Sequence, residues 1–324
     1  MSQIHKSKPP LRCGIIGAGL IGWRYDGGIW DGERSLSHAA CIARHPQTQL
    51  AMICDPFPEA RATFSAAHPD VATCKTVQDL LDADLDLITI ASSSEAHAEQ
   101  ILACLRAGTP RLFIEKPVTT KLHDYVSLQD ARANLPTKSR CVVNYFRRYL
   151  AQYQSLKDFV RSGQQVTGIA LTYSRKLDTN GVHLLDILGF LCDASAPPAL
   201  DWMRSGPNGN PSFGLTLQGI PVSVIGHDLP YHSIDVVVTA ETGRMSVTRG
   251  GLDLLWEPMV PNPDYVGFFH LAPPEKSAGQ RASDMRNGTY LAFCDLLEET
   301  PARSDLISAY FAQALMAQVL EPTL

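Results

Sequence analysis

The chain predicts an α/β fold: a doubly wound parallel sheet over residues 8–143, then an α+β domain over 144–324 built on a mostly antiparallel, open sheet. Three observations carry this reading. Up to residue 143, short β-rich runs alternate with helical patterns. A Gly17-x-Gly19-x-x-Gly22 turn directly follows the first apolar run. After Asn144 the alternation gives way to successive strand-like runs with Gly- or Pro-containing turns. Strand–helix alternation calls for parallel strands, because each crossover takes a helix and the helices then cover both faces.

In order, strands are expected at Leu11–Ile16, Gln49–Cys54, Leu85–Ala91, Arg111–Ile114 and Arg140–Asn144, each short and apolar. Helices are expected between them, at Ser37–His45, Pro58–Ala66, Thr76–Leu81, Glu95–Ala107 and Leu122–Asn134, with Gly108 as the glycine that ends the fourth. In the second half, Tyr149–Ser162 reads as a helix ended by Gly163, Val166–Lys176 as a strand and Val182–Cys192 as a helix. Strand-like runs follow at Pro221–Gly226, Ile234–Ala240 and Arg244–Thr248, and two late helices at Ala282–Glu299 and Asp305–Leu320. The Pro-rich stretch 258–280 reads as a loop.

Bulk properties narrow the function classes. The 324 residues suffice for two domains with real cores, and 45% hydrophobic with 19% charged residues excludes a disordered chain. A net charge of −5 gives no electrostatic reason to expect nucleic acid or a membrane surface as partner. No apolar run approaches a membrane span, and Met1–Pro10 lacks the apolar core of a signal peptide. The eight cysteines form no CxxC pair and several sit in apolar runs, so reduced thiols in a cytoplasm are expected, with no disulfide frame and no metal site.

The glycine fingerprint describes a device for holding a dinucleotide. Gly17 permits a tight strand-to-helix turn, Gly19 lets backbone approach a pyrophosphate, and Gly22 lets helix pack on strand. Ala18, Leu20 and Ile21 complete the turn. Free N–H groups and the positive end of a helix would face the phosphates. A glycine-rich turn also occurs without a ligand, but here Asp55 ends the next apolar run, where its carboxylate can accept from the adenosine ribose hydroxyls. Asp55 lies 33 residues after Gly22, against roughly 20 in a compact unit. The excess falls in Arg24–Ser37, read as an inserted loop beside the phosphate turn. Asp55 favours NAD, since a carboxylate repels a 2′-phosphate; Arg61 is the nearby cation that would admit NADP.

Two further stretches carry chemistry. Ile114-Glu115-Lys116-Pro117 places Lys116 at the carboxyl end of a parallel strand, where ligands of open α/β sheets gather. Pro117 steers Lys116 away from helical geometry, so the ammonium can be aimed into a cleft; the plain alternative is a surface lysine beside a turn. Thr179-Asn180-Gly181-Val182-His183-Leu184-Leu185-Asp186 opens a helix, capped by Asn180 or Thr179. His183 could move protons near neutral pH. Taken alone, a histidine there is more often a satisfied structural residue, and Asp186 reads as a partner for a neighbouring element.

With these stretches on the page, the chain resembles the glucose–fructose oxidoreductase / inositol dehydrogenase / MocA family. The resemblance rests on the Gly17–Gly22 fingerprint, Ser92-Ser93-Ser94-Glu95-Ala96-His97, Glu115-Lys116-Pro117 and Gly181-Val182-His183-Leu184-Leu185-Asp186. Asn144-Tyr145-Phe146-Arg147-Arg148-Tyr149 resembles the segment entering that family's second domain. The resemblance implies a Rossmann domain, then an α+β domain whose open sheet often forms a dimer face, and hence a homo-oligomer, dimer or tetramer. It implies NAD or NADP and hydride transfer at a secondary alcohol or ketone of a sugar, cyclitol or related small molecule. Lys116 would orient and polarise the reacting oxygen and touch the nicotinamide ribose, with Glu115 beside it, and His183 would be the acid/base. His97 and Ser92 would line the nicotinamide side. Tyr145, Arg147, Thr179 and Asn180 stand as substrate-contact candidates; Arg147 suits a carboxylate or phosphate, or equally a structural ion pair. Many members carry Asp where this chain has Thr179, which cannot replace that charge. A non-catalytic dinucleotide-binding regulator on the same fold is the alternative function.

Overall fold

The computed structural model describes residues 9–27, 35–136, 139–276 and 282–321 and divides into two compact units. The first runs through Thr119 and adds Asp124–Asn144 and Thr289–Ala302. The second comprises Thr120–His123, Tyr145–Gly288 and the chain from Arg303.

The first unit is built on six parallel strands: β1 (Leu11–Ile16), β2 (Thr48–Cys54), β3 (Ala72–Cys74), β4 (Leu87–Ile90), β5 (Arg111–Ile114) and β6 (Arg140–Val143). Their order in the sheet is β3-β2-β1-β4-β5-β6. Helices α1 (His38–Arg44), α2 (Pro58–Ala67), α3 (Val77–Leu81), α4 (His97–Arg106) and α5 (Leu122–Asn134) supply the crossovers. All four residues of β4, Leu-Ile-Thr-Ile, are buried, as a central strand covered on both faces requires. Thr76 and Asp79 form a reciprocal capping box that starts α3. Gly108, at φ 72°, follows the end of α4 and donates to Leu105 O at 3.1 Å. The sequence expects five strands and the sheet has six. The extra one, β3, has three residues with none buried, too short to show a period-2 pattern.

The second unit carries a nine-stranded sheet. Its members are β7 (Val166–Ser174), β8 (Leu200–Arg204), β9 (Ser212–Leu217), β10 (Ile220–His227), β11 (Ile234–Ala240), β12 (Gly243–Thr248), β13 (Asp253–Pro261), β14 (Phe269–Leu271) and β15 (Glu275–Lys276). The order is β14-β13-β12-β11-β7-β10-β9-β8, with β15 on β13. Every pairing is antiparallel except β7 with β10. Along β11, Ile234, Val236, Val238 and Ala240 are buried, while Asp235, Val237 and Thr239 face the more open side. The buried face belongs to the core made with α6 (Ala151–Arg161), α7 (Val182–Cys192) and α9 (Tyr310–Leu320). Helix α7 is apolar nearly all round, and ten of its eleven residues are buried.

Several local expectations change. The stretch 258–280 is not wholly loop: β13 runs through Pro258 and Pro261, and β14 and β15 pair with it. These prolines lie at the margin of the sheet, where a missing N–H is tolerated. The strand expected to reach Lys176 ends at Ser174, because Arg175 and Lys176 take left-handed φ of 61° and 47° and open a π-helical turn, Lys176–Gly181. Neither Thr179 nor Asn180 caps α7, since that turn runs straight into the helix and leaves Gly181 at its head. Helix α8 (Ala282–Leu297) also ends two residues early, and α9 begins at Tyr310 rather than Asp305.

Among the described residues no helix is long and apolar enough to cross a membrane. All eight cysteines are free thiols, and burial pushes Cys13 and Cys104 up to about 12.

Candidate functional site

The first unit's strand order reverses between β1 and β4, and a cleft of about 810 Å³ opens at their carboxyl ends. Open α/β sheets bind ligands at this switch point. Gly17, Ala18, Gly19, Leu20 and Ile21 line one side, with Asp55 and Ser92 across from them.

Each fingerprint glycine has its own reason. Gly17 sits at φ 108°, and a Cβ there would lie 2.6 Å from the carbonyl of Ala91, the residue just past β4. A Cβ on Gly22 would lie 2.1 Å from Gly17 O. A Cβ on Gly19 would meet nothing within 4 Å, so only at this position does the missing side chain leave open space for a ligand. Asp55 is buried. Its Oδ2 accepts from Ala18 N–H at 2.8 Å and its Oδ1 from Phe57 N–H at 2.9 Å, tying the fingerprint turn to the β2–α2 loop. Arg61 Nη1 donates to Asp55 O at 2.7 Å, so this cation is held at the backbone of the acid. A turn with backbone exposed at Gly19 and a carboxylate opposite fits a dinucleotide.

The expected insertion takes a definite form. Trp23 N–H donates to Gly19 O, closing one helical turn after the fingerprint. The carbonyls of Ile21 and Gly22 then accept from His38 and Ala39 N–H, both at 2.9 Å. A continuous helix would use residues 25 and 26 there, so thirteen residues are looped out of one helix. That excursion accounts for the long spacing to Asp55. Its tip, 28–34, lies outside the described residues.

At the carboxyl end of β5, Glu115 is turned inward. His38 Nε2 and Asn144 Nδ2 donate to its Oε1 at 2.9 and 2.6 Å, and Lys116 N–H donates to its Oε2 at 3.3 Å. Burial works to raise the Glu115 pKa, but the His38 and Asn144 hydrogen bonds and the Lys116 charge outweigh it and hold the carboxyl below its ordinary value. Lys116 itself is partly exposed and joins Pro117 through a cis peptide. His97, at the start of α4, is buried between two carbonyls, Nδ1 2.8 Å from Pro117 O and Nε2 3.2 Å from Ser92 O. Burial lowers its pKa against both bonds. His97 thus links the loops after β4 and β5 that carry Ser92 and Lys116. Ser92 Oγ donates to Gln100 Oε1 at 2.6 Å.

In the second unit, His183 occupies the second position of α7 and is 6% exposed. Tyr145 and Phe146 meet its ring edge-on, at centroid distances of 6.1 and 5.2 Å. The π-helical turn before α7 carries Thr179 and Asn180. Thr179 Oγ1 donates to Asp178 Oδ1 at 3.1 Å, and Asn180 Nδ2 donates to Ser174 O at 3.0 Å and lies 3.2 Å from His232 Nδ1. Of the two arginines, Arg148 takes the structural role. Its Nε and Nη2 donate to Asp186 Oδ2 and Oδ1 at 2.8 and 2.6 Å, and two further bonds reach Arg303 O and Ser308 O. Burial still pushes Asp186 up to about 6, with Arg148 pulling the other way. Arg147 is buried too, its guanidinium 4.7 Å over the Phe146 ring, and burial depresses its pKa.

Sequence reasoning missed Arg24, Phe57 and Lys75, which line the cleft, and the role of His38 under Glu115. The His38-Ala39 pair gave no signal of its own, because the looped-out residues separate it from the fingerprint. Among the described residues, no group of three His, Cys, Asp or Glu side chains could hold a metal ion.

Comparison with known proteins agrees with this geometry. Residues 11–145 match the family described as "Oxidoreductase family, NAD-binding Rossmann fold". An inositol 2-dehydrogenase of Rhodococcus jostii is 26% identical over 251 residues, 72% of this chain and 63% of that protein. The chain thus spans less than two thirds of the length of that relative. Among solved structures, the WlbA dehydrogenase of Bordetella pertussis, in complex with NADH and UDP-GlcNAcA, superposes with a TM-score of 0.76 at 17% identity, covering 97% of this chain and 95% of that one. KijD10, a 3-ketoreductase of Actinomadura kijaniata in complex with NADP, gives 0.72 at 16% identity, covering 96% of each chain. Residues 11–145, which hold the doubly wound sheet and the dinucleotide turn, thus resemble the Gfo/Idh/MocA oxidoreductase family, described as NAD-binding.

Proposed function

We propose that the protein is an NAD(P)-dependent dehydrogenase or reductase that moves a hydride between nicotinamide and a secondary alcohol or ketone of a sugar, cyclitol or sugar derivative. The observation that carries this reading is the fingerprint turn with open space at Gly19 and Asp55 opposite, at the switch point of the sheet. Bound there, the dinucleotide would supply the hydride acceptor or donor; the residues proposed to hold it are Gly17 to Gly22, Asp55, Ser92, His97, Glu115 and Lys116.

The chain's own residues then have separate tasks. The Lys116 ammonium stabilises negative charge growing on the substrate oxygen. Glu115, fixed by His38 and Asn144, holds the Lys116 backbone through Oε2, and His97 fixes the loop behind Pro117. His183 exchanges the hydroxyl proton, and its Tyr145 and Phe146 edges fix the ring. Tyr145, Arg147, Thr179 and Asn180 are the proposed substrate contacts. Asp55 favours NAD, and the reaction is placed in the cytoplasm. A homo-oligomer, dimer or tetramer, is proposed through the open face of the second sheet, to be read by light scattering.

The test is turnover of NAD and NADP with a panel of polyols, sugars and their oxidised forms. Lys116→Ala should lower kcat by about 10²–10³, and His183→Ala by roughly 10²–10⁴, with dinucleotide affinity retained in His183→Ala. Dinucleotide binding without turnover of any panel member would favour the non-catalytic regulator, and no binding at all would overturn both readings.

A further inference from the structure

The excursion between Gly22 and His38 is a built element at its base. Trp23 is buried, donates from Nε1 to Ala18 O at 2.9 Å, and packs edge-on against Phe64 and His68 at 5.3 and 5.6 Å. Three residues on, Asp26 is 4% exposed. Its Oδ1 accepts from Leu36 N–H, and its Oδ2 from Ser37 N–H and Ser37 Oγ, at 3.0, 2.7 and 2.6 Å. The two anchors fix the outgoing chain to the fingerprint turn and to the returning chain.

Arg24 and Tyr25 lie between these anchors and line the dinucleotide cleft. Arg24 also borders a smaller adjoining hollow together with Ala18, Phe57 and Ala60, residues that face the main cleft as well. Arg24 is exposed, and its side chain makes no hydrogen bond or ion pair with any described residue. Neither acid that lines these hollows, Asp55 or Glu59, forms an ion pair with it, and Asp55 already accepts from two backbone amides. A guanidinium with no ion-pair partner among the described residues, on a segment anchored at Trp23 and Asp26 at the fingerprint side of such a cleft, suits an anionic oxygen of the ligand, which it can engage with two N–H groups.

We infer that Arg24, carried by the looped-out segment, is a phosphate-binding residue of the dinucleotide cleft, an addition that this chain makes to the fingerprint turn. The inference rests on the dinucleotide reading of the cleft. The phosphate belongs either to the pyrophosphate, common to both cofactors, or to the adenosine 2′-phosphate, present in one. Arg24 borders the Phe57–Ala60 side, so a 2′-phosphate contact would offset the repulsion from Asp55.

The experiment is fluorescence titration of NADH and NADPH, at low and moderate salt, into the full chain and into Arg24→Ala and Arg24→Lys. Loss of a charge-assisted contact should weaken binding roughly tenfold or more. It should also flatten the dependence of affinity on ionic strength, and Lys should restore part of both. An equal loss for both nucleotides assigns the pyrophosphate; a loss confined to NADPH assigns the 2′-phosphate. Wild-type and Arg24→Ala affinities within about twofold for both nucleotides, with the same salt slope, would overturn the inference. Failure of the wild type to bind either nucleotide would instead overturn the dinucleotide reading. Arg24 is exposed and outside the core, so its replacement leaves the fold intact, which a thermal melt verifies.

Discussion

Replacing Glu115 tests whether its buried cluster holds the loop that presents Lys116. In the wild type, His38 Nε2 and Asn144 Nδ2 converge on one carboxylate oxygen at 2.9 and 2.6 Å. Glu115→Gln keeps the shape and one acceptor but removes the charge. Hydrogen bonds to a charged group contribute about 1.5–3 kcal/mol and neutral ones about 0.5–1.5, so the two short bonds together lose roughly 2 kcal/mol. Glu115→Ala also strands two buried donors and should cost about 3–5 kcal/mol. For units of this size each kcal/mol lowers Tm by roughly 2–4 °C, which predicts a drop of about 4–8 °C for Gln and more for Ala. Acid adds a second signature. The folded environment holds the Glu115 pKa below the usual 4.5. Stability from such a group is complete above the unfolded value and is lost as pH falls through the lower folded one. Urea unfolding should therefore show the full gap between wild type and Glu115→Gln at pH 7 and a smaller one near pH 3.5. A gap under about 0.5 kcal/mol at pH 7, against the ~2 kcal/mol expected, or one that does not narrow on acidification, would refute the reasoning.

Two further outcomes are expected. Gly22→Ala places a methyl group 2.1 Å from Gly17 O, so the turn must shift, and the Kd for NADH should rise about tenfold or more, equivalent to ~1.4 kcal/mol. Asp26→Ala removes three hydrogen bonds at the base of the excursion; it should lower stability by about 2–3 kcal/mol, read by thermal melting, and quicken proteolytic cleavage between Arg24 and Ser37.

Much of the first unit is written locally. Apolar runs such as Leu-Ile-Thr-Ile in β4 declare a buried parallel strand, and the fingerprint declares the switch point, because both depend on near neighbours in the chain. The β3 strand was not legible, since three half-exposed residues owe their pairing to β2 alone. Nor was the strand character of 258–261, where two prolines read as loop until β12 and β14 flank them. At the candidate site, residue types pointed to Gly17, Gly19, Gly22, Asp55, Lys116 and His183. Partnerships were another matter. His38 with Glu115 is a contact across 77 residues, and no local pattern encodes it. The neighbouring arginines 147 and 148 look alike in sequence, yet only the fold makes Arg148 the partner of Asp186.

The interrupted first helix also makes this protein a host for grafts. Departure and return are stitched by adjacent carbonyls, Ile21 and Gly22, which accept from His38 and Ala39 N–H and so hold the two ends of the excursion together. Closure entropy grows only with the logarithm of length, about 0.6 kcal/mol for each doubling. A guest segment inserted beyond Gly27 would therefore cost little in closure entropy, and its two ends would be held by the same pair of carbonyls.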